Sequence, residues 1–139
     1  MIVLFDTNVV LDVLLDREPY SKIAARLIGR VERGELSGLI GATTLTTIHY
    51  LVGKVAGRDK AIMAVRKVLM IFKVASVDRA VLELAAATAF TDYEDAVLHE
   101  AGRLAGAEAI VTRNPEDFAS GTLLVHTPAD LEAILSTSP

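Results

Sequence analysis

The sequence has 139 residues, a formal net charge of −4, 52% hydrophobic and only 5% aromatic residues, and no cysteine. This length predicts a single domain over residues 1–139 that buries about two-thirds of its unfolded surface. The absence of cysteine excludes disulfides, thiolate metal sites and a cysteine nucleophile, and it is consistent with a cytoplasmic protein.

The first predicted element is a buried strand. Ile2–Phe5 is an unbroken apolar run, typical of a strand in a parallel sheet that is covered on both faces. Asp6 therefore ends a strand, at the sheet edge where ligands and catalytic groups gather in open α/β folds. Asn8 is predicted to cap the helix that follows, Val9–Leu15. A simple turn or cap role for Asp6 remains the alternative at this point.

Helical and extended patterns alternate through the middle of the chain. The predicted elements are a helix over Ser21–Arg33, a strand over Leu36–Gly41, a helix capped by Thr43 or Thr44 that ends at Gly57, a helix whose apolar face carries Ile62, Val65, Leu69 and Phe72, and a strand over Val74–Val77. Asp78 then starts a fifth helix, with Leu82 among its inward residues.

The last part of the chain adds helices and two strands. It contains a helix from about Asp92 to Ala105 with a capping box of Thr91 and Glu94, a strand over Ala109–Thr112, a polar loop over Arg113–Phe118, a strand over Leu123–His126, and a helix from Pro128 to about Leu135 that Thr127 caps. Helices between successive strands require right-handed crossovers. The order therefore predicts an α/β fold with a central parallel sheet of about five strands sandwiched by helices.

Neither export nor membrane insertion is expected. Asp6 interrupts the N-terminal apolar run too early for a secretory signal. Residues 36–53 are uncharged, but their threonines and His49 make them too polar for a membrane helix.

Basic residues are concentrated in one segment. The segment Lys54–Lys73 carries a net charge of +5 and the remainder of the chain −9. A basic surface of this kind is able to hold a phosphate backbone near a site of clustered carboxylates. The candidate RNA-binding residues are Lys54, Arg58, Lys60, Arg66 and Lys67, together with Arg113. A solvated helix face is the alternative.

Acidic and amide side chains follow the ends of predicted elements at three places. These are Asp6 after the first strand, Asp92 and Asp95 at the start of the sixth helix, and Asn114 with Asp117 after the fourth strand. Clustered carboxylates repel each other, and a divalent cation among them relieves the repulsion. Oxygen ligands without a cysteine or histidine cluster favour Mg²⁺ or Mn²⁺, which indicates phosphodiester hydrolysis.

Three motifs together resemble a PIN domain. They are the opening Ile-Val-Leu-Phe-Asp-Thr-Asn-Val-Val-Leu-Asp, the middle Asp92-Tyr93-Glu94-Asp95-Ala96-Val97-Leu98, and the late Ile110-Val111-Thr112-Arg113-Asn114-Pro115-Glu116-Asp117-Phe118. The motifs span nearly the whole chain, and the sequence is similar to VapC-type toxins of toxin–antitoxin pairs and to stand-alone PIN proteins. The resemblance implies a Mg²⁺- or Mn²⁺-dependent ribonuclease, an RNA substrate, an antitoxin partner if the chain is a toxin, and frequent dimers.

The resemblance also implies residue roles. Catalytic roles fall to Asp6, Asp95 and Asp117, and metal binding to Asp6, Asp92, Asp95, Asn114 and Asp117. Supporting roles around the metal fall to Thr7, Asn8 and Thr112. Glu94 and Glu116 are left out, because a cap and a loop surface account for them.

The sequence departs from the PIN pattern at two positions. Thr47 occupies the position where these nucleases usually place a Glu, and Asn114 replaces an Asp of the late motif. The alternative function is therefore a catalytically impaired PIN-fold module that binds RNA or protein. A phosphoryl-acceptor domain that uses Asp6 as nucleophile is a third hypothesis, although a second early acid is missing.

Two further side chains have ambiguous roles in the sequence. His99 lies four residues after Asp95, and we expect a partly buried structural histidine rather than one that contacts a phosphate. Asp12 lies four residues after Asn8, and we expect a solvated helix acid rather than a side chain that turns toward the acids.

Overall fold

Five short strands form the centre of the computed structural model, which describes residues 1–137. They are β1 (Ile2–Phe5), β2 (Ser37–Gly41), β3 (Lys73–Ala75), β4 (Ala109–Val111) and β5 (Leu124–His126). The third strand was predicted over Val74–Val77, whereas β3 ends at Ala75, so the two overlap only at Val74 and Ala75. The predicted order of strands and helices is confirmed along the described chain.

The helices lie between these strands. They are α1 (Thr7–Leu14), α2 (Ser21–Glu32), α3 (Ala42–Ala56), α4 (Arg58–Ile71), α5 (Arg79–Ala86), α6 (Tyr93–Leu104) and α7 (Pro128–Thr137). A short 3₁₀ helix, Pro115–Phe118, occupies the predicted polar loop. None of the helices within residues 1–137 combines the length and the apolar character that a membrane span requires.

The sheet is parallel throughout, with the strand order β3-β2-β1-β4-β5. The central strand β1 pairs with β2 on one side and β4 on the other, so that Leu4 lies opposite both Leu39 and Ile110. Phe5 lies opposite Val111, which places the ends of β1 and β4 side by side. The expected neighbourhood of these two strands is therefore confirmed, and Asp6 and Thr112 follow them at the same edge.

Helices cover both faces of the sheet, as predicted. Val3 and Phe5 point into a core formed with α1 to α4, and Leu4 points into a second core with Leu98 and Phe118. All of these side chains are buried, and each one contributes about 1.5–3 kcal/mol through its burial. Packing on both faces fixes β1 rigidly, and so it fixes the position of the residue that follows.

The predicted caps of α1 and α3 were wrong. Asp6 is the N-cap of α1, with an extended backbone, and Asn8 already lies inside the helix. Gly41 is the N-cap of α3, which leaves Thr43 and Thr44 in its first turn. In both cases the helix begins directly at the end of a strand, because the sheet holds the last strand residue extended and no loop intervenes.

The capping box predicted for α6 was also wrong. Asp92 is the N-cap, and its Oδ1 accepts the backbone N–H of Asp95 at 3.0 Å. Thr91 therefore lies outside the helix, and Glu94 is free of the capping role that the sequence suggested. An aspartate three residues before a free N–H is as good a cap as a threonine, so the pattern alone did not separate the two.

The apolar face predicted for α4 was wrong at Ile62 and Leu69, whereas Phe72 is buried and Val65 packs against the core, as predicted. The helix buries Ala61, Ala64 and Val68, whereas Ile62 and Leu69 are 37% and 48% exposed. The β-carbon of Ala61 faces Gly53 of α3, so small residues let the two helices pack closely. Ile62 and Leu69 are left on the outer surface, and Leu82 of α5 is exposed in the same way.

Candidate functional site

A cavity of about 190 Å³ opens above the carboxyl end of β1. Its walls come from the end of β1, from α1, from the first half of α3 and from the start of α6. The lining residues are Asp6, Thr7, Asn8, Leu11, Thr43, Thr47, Leu51, Asp92, Glu94, Asp95 and Leu98. We call this space the acidic cavity, because four carboxylates from two distant parts of the chain line it.

Asp6 is held at the base of the acidic cavity by the neighbouring strand. Its backbone N–H donates to Val111 O at 3.0 Å, and its Oδ2 accepts a hydrogen bond of 2.8 Å from Thr112 Oγ1. Burial raises the pKa of the Asp6 carboxyl. The hydrogen bond from Thr112, the backbone N–H of Thr7 and the charge of Arg113 oppose this rise, while the charge of Asp117 adds to it.

Asp95 lies across the acidic cavity from Asp6, on the first turn of α6. Burial is the largest cause that raises the pKa of Asp95, and the charges of Asp92, Asp6, Asp117 and Glu94 add to it. Together they raise that pKa to about 7. Four neighbouring carboxylates thus add to the effect of burial, which marks this end of the cavity as a concentration of negative charge.

Asp117 and Asn114 lie beside the acidic cavity and are absent from its lining. The backbone N–H of Asp117 donates to Asn114 O at 3.0 Å, and that of Asn114 donates to Thr112 Oγ1 at 3.0 Å. Asp117 is exposed, yet its charge acts on both Asp6 and Asp95. The late motif is therefore tied to Asp6 through one threonine hydroxyl.

Thr7 and Asn8 line the acidic cavity, but their side chains form hydrogen bonds with residues outside it. Thr7 Oγ1 forms a 2.8 Å hydrogen bond with Thr44 Oγ1, which joins α1 to α3. Asn8 accepts hydrogen bonds of 3.2 Å from Arg17 Nη2 at both its backbone oxygen and its Oδ1. These contacts fix the first turn of α1, which carries the residues next to Asp6.

The departure from the PIN pattern at Thr47 falls on the acidic cavity. Thr47 lines it from α3, together with Thr43, and Thr47 Oγ1 donates to Thr43 O at 3.3 Å. This side of the cavity therefore presents hydroxyl groups, where a glutamate would add a further negative charge.

Glu94 is the site residue that sequence reasoning missed. It lines the acidic cavity, and its charge helps to raise the pKa of Asp95. Its position directly before Asp95 already suggested a place at the site, but the sequence pattern predicted a capping box for Glu94 instead.

The chemistry of these side chains fits a hard divalent cation, since all the donors are oxygen atoms and their charges repel one another. The distances between these side chains, however, do not yet suit a bound ion. Within residues 1–137, no three histidine, cysteine, aspartate or glutamate side chains stand close enough together to form a ligand set. Binding an ion would therefore require small movements of side chains such as the exposed Asp92 and Asp117.

The basic residues divide into two groups. Lys54, Arg58, Lys60, Arg66 and Lys67 are exposed along the end of α3 and on α4, and the last three border an apolar groove that includes Val55, Met63 and Met70. Arg113 instead forms an ion pair with Asp12. Asp12 is only 1% exposed, so the expectation of a solvated acid was wrong; its two arginine partners allow the burial.

His99 is a buried structural residue, as expected, and it points away from the acidic cavity. Its Nε2 accepts the backbone N–H groups of Thr122 and Leu123 at 3.1 and 3.3 Å. Its Nδ1 lies 2.8 Å from Glu100 Oε2, and Glu100 in turn pairs with Arg103. Because Nε2 accepts, Nδ1 donates to Glu100, and the ring ties α6 to the segment that precedes β5.

Comparisons with solved structures agree with this architecture. The chain is similar to VapBC2 from Rickettsia felis bound to a promoter DNA fragment (TM-score 0.72, 12% identity, 91% of this chain and 98% of that one). It is also similar to a toxin–antitoxin complex from Klebsiella pneumoniae (0.69, 23%, 91% and 97%) and to VapC20 from Mycobacterium tuberculosis, a toxin that cleaves the sarcin-ricin loop (0.69, 16%, 87% and 96%).

Sequence comparison gives the family. No curated protein sequence matches the chain. The family model of the PIN domain matches residues 2–116, which contain all of the acidic cavity. The chain belongs to the PIN domain family.

Proposed function

We propose that the protein is a Mg²⁺- or Mn²⁺-dependent endoribonuclease that hydrolyses phosphodiester bonds of RNA. The observation that carries the proposal is the acidic cavity, which brings Asp6, at the end of β1, and Asp95, on α6, close enough for the charge of Asp6 to help raise the pKa of Asp95. A divalent cation is the simplest ligand that compensates this charge. The PIN domain family makes nuclease chemistry the natural use of such an ion.

The side chains take defined roles in this proposal. Asp6 and Asp95 hold the ion from opposite walls, and Asp92, Asp117 and Asn114 supply further oxygen atoms. Thr112 orients the Asp6 carboxylate through its hydrogen bond, and Thr7 and Asn8 keep the first turn of α1 in place. The bound ion would supply a water molecule of lowered pKa and positive charge next to the phosphate.

RNA is proposed to reach the acidic cavity along α3 and α4. Thr47, in the cavity, and Val55, in the apolar groove, are eight residues apart on α3, a distance of about 12 Å along the helix axis. Exposed cations near Val55, among them Lys60 and Lys67, are suited to hold the phosphate backbone on one side of the cavity. This placement gives the basic segment a role despite the acidic net charge.

A toxin role with an antitoxin partner is the finer proposal. Several structural neighbours are toxin–antitoxin complexes. The apolar groove, with its basic border, suits an apolar segment of a small protein that also carries acidic residues. The product of a neighbouring short reading frame that binds the chain and stops cleavage would support this role. Homodimer formation and a cytoplasmic location stay predictions.

The second candidate is a catalytically impaired PIN module that binds RNA or protein. Two observations favour it. Thr47 brings a hydroxyl to the cavity in place of a carboxylate, and the carboxylates of the described chain do not yet form a set of three ligands. Fewer charged ligands weaken the affinity for the metal ion, and loss of the ion would leave binding without cleavage.

The experiment is cleavage of a panel of RNAs with Mg²⁺ or Mn²⁺, with and without chelator. The wild type is compared with Asp6→Asn and Asp95→Asn, and with Asp130→Asn as the control, because Asp130 is an exposed acid on α7. The proposal predicts metal-dependent cleavage by the wild type and the control alone. Cleavage that survives chelator, or equal activity of all four proteins, would contradict it. RNA binding without cleavage would favour the second candidate.

A further inference from the structure

Asp12 binds two arginines, Arg17, which is five residues away in sequence, and Arg113, which is 101 residues away. Its Oδ1 lies 2.8 Å from Arg17 Nε, and its Oδ2 lies 2.8 Å from Arg113 Nε. Arg113 Nη2 also donates to Oδ1 at 3.2 Å. The carboxylate is 1% exposed, so both of its oxygen atoms are used by the two guanidinium groups.

The group of Asp12, Arg17 and Arg113 carries a formal net charge of +1. One carboxylate faces two guanidinium groups, and within residues 1–137 neither arginine forms an ion pair with any other acid. The side chains of Arg17 and Arg113 remain 34% and 23% exposed. Part of each arginine side chain is therefore open to solvent while it holds Asp12.

The two arginines lie at the edge of the acidic cavity. Arg17 Nη2 donates to Asn8, which lines that cavity two residues after Asp6. Arg113 directly follows Thr112, whose hydroxyl binds Asp6, and its charge acts on the Asp6 carboxyl. A phosphate bound by the arginines would thus be a neighbour of one held over the carboxylates.

Tyr20 restricts Arg113 further. The guanidinium carbon of Arg113 lies over the Tyr20 ring, 4.1 Å from its centroid, which is a cation–π contact. Held by Asp12 on one side and Tyr20 on the other, Arg113 has little side-chain entropy to lose when it binds a ligand. Ion-pair networks of this type often add little stability compared with apolar residues of similar size. The function of this network is therefore better explained by its effect on Arg113, which it holds in place for a ligand.

We propose that Asp12 preorganises Arg17 and Arg113 as a phosphate-binding subsite, which takes a phosphate of the RNA strand next to the one at the acidic cavity. The proposal rests on the proposed function for its ligand, RNA. Arginine suits this task because its planar fork binds two phosphate oxygens at once. The subsite would hold the strand from the side of α1.

The test measures RNA binding without cleavage. Fluorescence anisotropy of a labelled 12-nucleotide single-stranded RNA in chelator gives Kd as a function of salt. The variants are Arg17→Gln and Arg113→Gln, each of which leaves Asp12 with one arginine partner. Arg79→Gln is the control, because Arg79 is 92% exposed on α5 and has no part in the subsite.

The proposal predicts that each subsite variant binds RNA at least about fivefold more weakly than the control. The slope of log Kd against log salt should fall by about 0.7 for each arginine, the value for one phosphate contact on a single strand. Thermal unfolding of each variant separates this loss from misfolding. If Arg113→Gln does not fold, Arg113→Lys keeps a charge beside Asp12, and weakened RNA binding by that variant supports the proposal equally.

Two outcomes would overturn the subsite. One is RNA binding by folded Arg17 and Arg113 variants with the affinity and salt slope of the control, which would leave the arginines as a structural ion pair only. The other is a wild type that binds no RNA in chelator. The proposed nuclease function fails separately, if the wild type shows arginine-dependent RNA binding but cuts no RNA with metal present.

Discussion

Thr112 and Asp6 are 106 residues apart, and the Thr112 hydroxyl donates a 2.8 Å hydrogen bond to Oδ2 of Asp6. The bond joins the ends of the two strands that pair at the centre of the sheet. It also favours the ionised form of a buried carboxyl, which is the form that binds a cation. The strand pairing thus positions the first acid of the cavity and supplies a hydrogen bond that opposes the rise of its pKa.

Replacing Thr112 with Val should weaken metal binding. The change keeps the shape of the side chain but removes the donor to Asp6. Hydrogen bonds to charged groups contribute about 1.5–3 kcal/mol, so the Kd for Mn²⁺ should rise roughly tenfold or more. Isothermal titration calorimetry measures it. Thr137→Val is the control, since that hydroxyl bonds only within α7. An unchanged Kd would remove Thr112 from the site.

Replacing Thr47 with Glu should strengthen metal binding. The new carboxylate would enter the acidic cavity from α3, where the sequence departs from the PIN pattern. We expect the Kd for Mn²⁺ to fall roughly tenfold, or about 1.4 kcal/mol, together with a lower free energy of unfolding in chelator. Thr46→Glu adds the same charge at an exposed neighbouring position. Equal effects of the two substitutions would mean that net charge, rather than position, decides.

The metal-free protein should lose stability as the pH rises toward 7. The pKa of Asp95 is raised to about 7 in the folded state from 3.8 in the unfolded state. Between these values the folded protein binds a proton that the unfolded chain does not, so the free energy of unfolding falls with rising pH, and the loss is complete above pH 7. Urea unfolding in chelator from pH 4 to 8 measures this dependence.

Asp95→Asn removes the titrating group, and its stability should depend less on pH over that range than the stability of the wild type. Asp130→Asn should keep the wild-type dependence, because Asp130 is exposed on α7. Identical pH profiles of the wild type and Asp95→Asn would show that the acidic cavity does not disfavour ionisation of Asp95.

Replacing Gly121 with Ala should destabilise the protein. A β-carbon at this position would lie 2.3 Å from His99 Nε2, the atom that accepts two backbone N–H groups. We expect a loss of about 1–3 kcal/mol in urea unfolding, since the ring would have to shift and distort the hydrogen bonds that it accepts from Thr122 and Leu123. Gly29→Ala, in the middle of α2 beside the flexible end of Arg33, should instead gain about 0.5–1 kcal/mol. A neutral Gly121→Ala would argue that His99 moves freely.

The sequence predicted those features that depend on local patterns. The apolar run Ile2–Phe5 that ends at Asp6 correctly predicted a buried parallel strand, and the alternation of strands and helices predicted the sheet. The adjacency of β1 and β4 was inferred from the need to bring Asp6 and Asn114 together. For the strands and helices the chain itself carries the information, as periodicity or as the residue that ends an element, whereas the adjacency depended on the assumption of one shared site.

Features that depend on distant partners were not predicted. Asp12 is polar and lies on a helix, so burial was not expected, and only the meeting of Arg17 and Arg113 around it makes burial favourable. Glu94 was assigned to a cap that Asp92 provides instead. The roles of the site residues remain predictions, because metal binding depends on how the carboxylates rearrange around an ion.

The most direct test of the account is the binding of Mn²⁺ by the protein alone, followed by the electron paramagnetic resonance signal of the free ion. If both side chains hold the same ion, Asp6→Asn and Asp95→Asn should each lose at least about tenfold in affinity, whereas Asp130→Asn should bind as the wild type does. Wild-type affinity in both Asp6→Asn and Asp95→Asn would contradict the shared metal site.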